Sequence, residues 1–130
     1  MIAADTSTWV AFLEGGDGED VRRLDQALED RQVVMAPVVL SELLSEPKLP
    51  PEVMKTLLEV PLLEIQPGYW ERAGKLRAKV LGRGRKARLG DALIAQSCVD
   101  AGVALLTRDR DFRAFAEAAG LDIFIRRDKG

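Results

Sequence analysis

The stretch Val103-Ala104-Leu105-Leu106-Thr107-Arg108-Asp109-Arg110-Asp111-Phe112 decides how the chain is read. It is apolar up to Thr107 without polar alternation, which marks a strand buried on both faces. A short charged turn follows. Then Phe112, Phe115, Ala116 and Ala119 recur at helical spacing until Gly120 stops them. Asp122-Ile123-Phe124-Ile125 reads as the next strand. Strand, helix and apolar strand in that order make one unit of a parallel sheet covered by helices.

The same alternation runs back to the N-terminus. Ile2-Ala3-Ala4 is a short buried strand ending at Asp5-Thr6-Ser7. A helix with Val10 and Leu13 follows and stops at Gly15-Gly16; a second, Asp17 to Glu29, carries Val21, Leu24 and Leu28 on one face. Val33-Val34-Met35-Ala36 predicts a second strand, and Pro37 suits the first turn of a helix carrying Val38, Val39, Leu43 and Leu44. Pro50-Pro51 opens another helix through Leu57-Leu58, and Leu62 to Ile65 predicts a third strand. A long basic helix begins at Pro67, turns Ala73, Leu76 and Val80 to the core, and ends at Gly82. The basic loop Arg83 to Arg88 leads into a helix from Leu89 to Ala101. With 130 residues and no repeat, linker or low-complexity segment, the expectation is a single α/β domain spanning residues 1–130.

Composition narrows the class. A hydrophobic fraction of 47% is that of a globular protein, and no apolar run reaches the length that crosses a membrane. The opening Met1 to Asp5 lacks the basic segment and apolar core of a signal peptide. The one cysteine, Cys98, leaves no internal disulfide and suits a reducing compartment; its place among packing positions reads as an inert core thiol. The expectation is a cytoplasmic protein with no membrane partner. The net charge of −2 hides a division. Residues 1–71 hold 14 acidic and 5 basic side chains, residues 72–130 hold 7 and 14, and Arg72 to Arg88 contains eight basic residues and no acid. Such asymmetry serves a polyanionic substrate, or it is a solvated helix face followed by a basic loop; this stretch alone leaves both open.

Parallel sheets bind ligands beyond the carboxyl ends of their strands. Asp5, Asp109 and Asp111 fall there, Glu42 lies in the helix after the second strand, and Asp91 opens the helix leading into the fourth. Glu42 shares a helical face with Val38 and Val39, and Asp91 with Ile94 and Ala95, so both are expected to face inward. A carboxylate in that position is costly unless something pairs with it. Taken singly, Asp5 and Asp91 also read as helix caps, Glu42 as the partner of a buried arginine, and Asp109 and Asp111 as a turn and a cap. Taken together they are anions converging on one cleft, and Mg²⁺ or Mn²⁺ would relieve their repulsion. The chain has no histidine, which excludes histidine-based ribonuclease chemistry and a Ser–His–Asp triad. A zinc site of His or Cys ligands is unavailable, there is no P-loop, and Gly82-Arg83-Gly84 is not a dinucleotide fingerprint. For hydrolysis, acid-rich metal chemistry on a phosphodiester remains.

At this point four stretches, in order, resemble the motifs of a PIN domain: Asp5-Thr6-Ser7, Val38-Val39-Leu40-Ser41-Glu42-Leu43, Leu89-Gly90-Asp91-Ala92-Leu93-Ile94-Ala95, and Leu105 to Phe112. The resemblance covers nearly the whole chain. It implies a three-layer α/β/α domain with parallel strands in the order 3-2-1-4-5, and Mg²⁺- or Mn²⁺-dependent endonucleolytic cleavage of RNA. The length and the opening further resemble VapC-type toxins, which implies a cognate antitoxin and a homodimer. Carried over by position, Asp5, Glu42, Asp91 and Asp109 are the acidic quartet, with Asp5, Asp91 and Asp109 holding one or two ions, directly or through water, and Glu42 binding or orienting the attacking water or ligating the second ion. Thr6, Ser7 and Thr107 would hold the carboxylates by hydrogen bonds, or simply cap; Asp111 is a supporting acid and Phe112 packs. Arg83, Arg85, Lys86 and Arg88, with Arg108 or Arg110, would hold RNA phosphates. An antitoxin groove is expected near Trp9, Phe12, Leu43, Leu44 and Pro47 to Pro51, with core packing the competing reading for Trp9 and Phe12. The chain has no insertion to arch over a DNA strand, which favours RNA. Two other functions compete: a non-catalytic PIN-fold module that binds RNA or protein, and a receiver-like signalling domain. The second needs an acceptor aspartate after the third strand, where this chain has Glu64-Ile65-Gln66.

Overall fold

The computed structural model describes residues 1–125. Three parallel strands form its sheet: β1 (Ile2–Ala4), β2 (Ala104–Thr107) and β3 (Ile123–Ile125), in the order β1-β2-β3. Ile2 pairs with Ala104 and Ala4 with Leu106; Leu105 pairs with Ile123 and Thr107 with Ile125. Among the described residues seven helices pack around it: α1 (Thr6–Leu13), α2 (Glu19–Glu29), α3 (Pro37–Leu44), α4 (Pro51–Glu59), α5 (Tyr69–Gly82), α6 (Leu89–Ala101) and α7 (Phe112–Ala119).

The two expected strands at Val33–Ala36 and Leu62–Ile65 are corrected to single parallel bridges, Ile2 with Val33 and Met35 with Leu62. The sequence around them explains the shortening. Pro37 begins α3 directly after the Met35 pairing, and Pro61 and Pro67 bracket the other segment, so neither has room for a ladder. The backbone still stitches across: the Val34 amide donates to the Ile2 carbonyl at 2.9 Å, and the Leu63 amide donates to the Met35 carbonyl at 2.9 Å. Read through these bridges, the neighbours follow the expected 3-2-1-4-5 order. α1 packs on α2 and α3, α5 packs on α6 and α7, and α3 also meets α6.

Local chemistry sets the helix ends. Asp5 caps α1, accepting from the Thr8 amide at 3.1 Å. Gly18, at φ 133°, holds a conformation closed to other residues, so α2 starts at Glu19 rather than Asp17. Gly68, at φ 79°, likewise delays α5 past Pro67. The core gathers Trp9, Met35, Leu57, Val80, Leu105, Phe112 and Phe115, all fully buried. Among the described residues no helix is long and apolar enough to cross a membrane.

Candidate active site at the strand ends

Asp5 leaves β1 with its own amide bonded to the Leu106 carbonyl at 2.9 Å, which fixes it against the end of β2. It is buried, and both carboxylate oxygens are engaged. Oδ1 accepts from the Ser7 hydroxyl at 2.7 Å and from the Thr8 amide; Oδ2 accepts from the Thr107 hydroxyl at 2.7 Å. Burial lifts its pKa above the ordinary value, the three hydrogen bonds resist the rise, and the charge on Asp109 adds to it.

The turn after β2 is folded by its own polar groups. The Asp109 amide donates to Thr107 Oγ1 at 2.9 Å, and the Asp111 amide donates to Asp109 Oδ1 at 2.9 Å. Because Thr107 Oγ1 accepts from one side, its single proton goes to Asp5. This turn delivers Asp109 and Asp111 beside Asp91, in the first turn of α6. One oxygen from each of Asp91, Asp109 and Asp111 lies within 4.8 Å of the others. Asp91 Oδ2 is buried and has no hydrogen-bond partner. Burial first, then the charges of Asp109 and Asp5 with a smaller push from Glu42, raise the Asp91 pKa to about 6, with Arg88 working the other way. Three converging carboxylates, one of them with a buried oxygen that no donor satisfies, are the donor set a hard divalent cation takes.

The expected site residues are brought together unequally. The metal set read from sequence was Asp5, Asp91 and Asp109; the trio whose oxygens converge has Asp111 in place of Asp5. Asp5 stands beside it within electrostatic reach. Glu42 is exposed rather than inward, because α3 turns Val39 and Leu43 to the core; its Oε1 accepts from the Thr6 hydroxyl at 2.9 Å. Ser7 and Thr107 do hold a carboxylate, that of Asp5.

The basic residues divide. Those of α5 serve the fold: Arg72 pairs with Asp100, Arg77 Nε donates to the Ala87 carbonyl at 2.8 Å, and Lys79 Nζ donates to the Ala118 carbonyl at 2.9 Å. Arg83, Arg85, Lys86 and Arg88 lie exposed on the loop before α6, with Lys86 Nζ 3.7 Å from Asp111 Oδ2. Arg110 is exposed at the turn. Arg108, expected beside phosphate, turns away: Nε donates to Asp20 Oδ2 at 2.7 Å, and Nη2 donates to Asp20 Oδ1 and the Asp17 carbonyl. Asp20 is fully buried and was missed in the sequence. The signal was present, since Asp20 shares the inward face of α2 with Leu24 and Ala27, four and seven residues on.

A groove of about 550 Å³ opens next to Glu42, between α1 and α3, lined by Val10, Leu13, Leu43, Leu49, Pro50 and Val53 and edged by Glu14 and Glu46. It overlaps the expected groove at Leu43 and in the segment before α4. It excludes Trp9, which is fully buried, and Phe12, which packs its edge on the Trp9 ring. Cys98 is buried, and burial pushes its thiol up to about 12.

The PIN-domain family pattern matches residues 2–118. Among solved structures, VapBC2 from Rickettsia felis bound to a DNA fragment from its promoter is similar at a TM-score of 0.74 and 19% identity, over 98% of this chain and 100% of that one. DNA-bound VapBC from Salmonella typhimurium gives 0.69 and 21%, over 96% and 98%. VapBC-5 from Mycobacterium tuberculosis, a member of the VapBC family of toxin–antitoxin systems, gives 0.65 and 20%, over 95% and 97%. No curated protein sequence matches.

Proposed function

The chain belongs to the PIN-domain family, and from that premise we propose that it is a divalent-cation-dependent endoribonuclease, the toxin of a toxin–antitoxin pair. The observation that carries the reading is the convergence of carboxylate oxygens from Asp91, Asp109 and Asp111, with the Oδ2 of Asp91 buried and unpartnered. Those three would hold Mg²⁺ or Mn²⁺, with Asp5 adding negative charge from behind. When bound, such an ion lowers the pKa of water and neutralises charge building on the phosphoryl group.

The chain's own groups do the rest. Ser7, Thr8 and Thr107 keep Asp5 in one orientation, so its charge stays fixed toward the cleft. Glu42, held through Oε1 by Thr6, offers Oε2 at the mouth of the cleft to take a proton from the attacking water. Arg83, Arg85, Arg88 and Arg110, exposed around the opening, hold phosphates on either side of the scissile bond. The groove beside Glu42, apolar inside and lined by Glu14, Glu42 and Glu46 against a single Lys48, suits an apolar antitoxin segment carrying a basic side chain. A second copy of the chain is the further expected partner, and the inert buried thiol fits action in the cytosol.

The test is cleavage of a structured RNA pool by purified protein in Mg²⁺, Mn²⁺ or EDTA, beside Asp91→Asn and Asp5→Asn. Metal-dependent cleavage lost in both variants is the expected result. Cation binding without cleavage of any RNA would make the domain a binding module, and cleavage that survives EDTA and both variants would overturn the reading.

A further inference from the structure

Asp20 is a fully buried carboxylate outside the acidic cluster. It accepts from the Thr8 hydroxyl at 3.0 Å and from Arg108 Nε at 2.7 Å and Nη2 at 3.1 Å. Burial alone would raise its pKa; the hydrogen bonds from Arg108 and Thr8 outweigh it, so the carboxyl lies below its usual value and stays charged. Buried ion pairs are weak contributors to stability, because desolvation of both ions offsets their attraction, and apolar residues of the same volume serve as well. What such a pair does supply is a fixed geometry between the two elements that carry it.

The elements here are the first turn of α2 and the turn after β2. Residue 108 sits at the centre of the second. Its amide donates to Ser7 Oγ at 3.1 Å, which leaves the Ser7 proton for Asp5 Oδ1. On one side Thr107 donates to Asp5 Oδ2, and on the other the Asp109 amide closes onto Thr107 and the Asp111 amide onto Asp109. These links end on a carboxylate of the cleft or on a group holding one. The Arg108 side chain leads the other way, bolting the turn to α2 through Asp20 and the Asp17 carbonyl. Thr8, one residue beyond Ser7, reaches the same Asp20, so α1 and the turn share one buried anchor.

We propose that the Asp20–Arg108 pair is a positioning clamp, which locks the 107–111 turn and with it Asp5, Asp109 and Asp111 in the arrangement that accepts a divalent cation. The inference rests on the reading that the acidic cluster holds such a cation. It assigns Arg108 a positioning role instead of a phosphate contact, and gives Asp20 a part in the site although it touches neither substrate nor cation.

The experiment is Mn²⁺ affinity, followed by electron paramagnetic resonance of the free ion, on protein shown to be folded by circular dichroism. Asp20→Asn and Arg108→Gln each weaken Mn²⁺ binding about ten-fold, as loss of groups supporting metal ligands does. The double variant falls within about two-fold of the weaker single, because one clamp is broken either way. Arg108→Lys recovers part of the loss, since it keeps the charge facing Asp20, and Arg108→Gln answers the same question should Asp20→Asn not fold. Glu19→Gln, which removes two exposed ion pairs, with Arg22 and Arg23, from the same helical turn at the same change in charge, leaves the affinity unchanged. Wild-type affinity in folded Asp20→Asn or Arg108→Gln, or losses that add in the double variant, overturns the clamp. Absence of any Mn²⁺ binding in the wild type that Asp91→Asn removes would instead strike the cation reading itself, and the clamp with it.

Discussion

Asp5 and Asp91 bring the same side chain to the same cleft under opposite conditions. Asp5 is buried at the end of β1, and every oxygen has a donor: Ser7, Thr8 and Thr107. Asp91 stands partly exposed on α6, and its Oδ2 is buried with no donor. Both have raised pKa values, but Asp5 is resisted by hydrogen bonds whereas Asp91 is pushed further by three neighbouring acids. The difference separates a carboxylate the fold has already satisfied from one left for something outside the fold. A ligand site is recognised by its unmet demand for a partner, and among these acids Asp91 has it.

The comparison breaks most visibly in activity. Asp91→Asn is expected to lower cleavage by about 10²-fold or more, exceeding the loss from a group that merely supports a ligand; single-turnover cleavage of the preferred RNA measures it. An equal loss in Asp91→Asn and Thr6→Val would show that the unpartnered oxygen carries no special weight.

In EDTA the two acids should differ in sign. Asp5→Asn sets an amide donor against a hydroxyl already committed to donating, and costs about 1–3 kcal/mol of stability. Asp91→Asn removes a repelled charge and leaves the metal-free protein no less stable. Urea unfolding of both variants distinguishes the cases, and destabilisation by Asp91→Asn comparable to that by Asp5→Asn would erase the distinction.

The pH dependence follows from the same shift. The folded protein keeps the Asp91 proton up to a pH of about 6, whereas an unfolded aspartate releases it near ~3.9. This preference therefore favours folding fully below about pH 4 and is lost as pH rises through about 6. Discounted for partial exposure, the loss is about 1 kcal/mol. It should appear in metal-free wild type between pH 4 and 7.5, shrink on adding Mn²⁺, and fall in Asp91→Asn to what the raised Asp5 alone contributes. The smallest effect is Ser7→Ala, which removes one of three donors to Asp5 at about 0.5–1.5 kcal/mol. A larger cost would mean that the Arg108 amide has no other acceptor to turn to.

Much of this was legible before any coordinates. Apolar runs ending at Asp5 and Thr107 read as strands and are strands. The helices that follow begin where caps and prolines put them, within a residue or two. Val33–Ala36 and Leu62–Ile65 were read too long, since composition registers burial but not the prolines' limit on pairing. Glu42 was turned the wrong way because its helical face borders the core without entering it. Trp9 was left between core and groove, a choice made only by what packs above it.

The sequence by itself determined the strand–helix order, the parallel class of the sheet and the delivery of acids to its carboxyl edge, because these follow from periodicity over a few residues. Only the tertiary structure decided which acids are satisfied and which are not. Thr107 meets Asp5 across 102 residues, Arg108 meets Asp20 across 88, and Thr6 meets Glu42 across 36. A hydrogen bond acts over about 3 Å of space, and no local spacing records which distant donor the fold will bring that close. That is why Asp111 joined the trio, Arg108 left the phosphate side and Asp20 emerged as a charged residue worth testing.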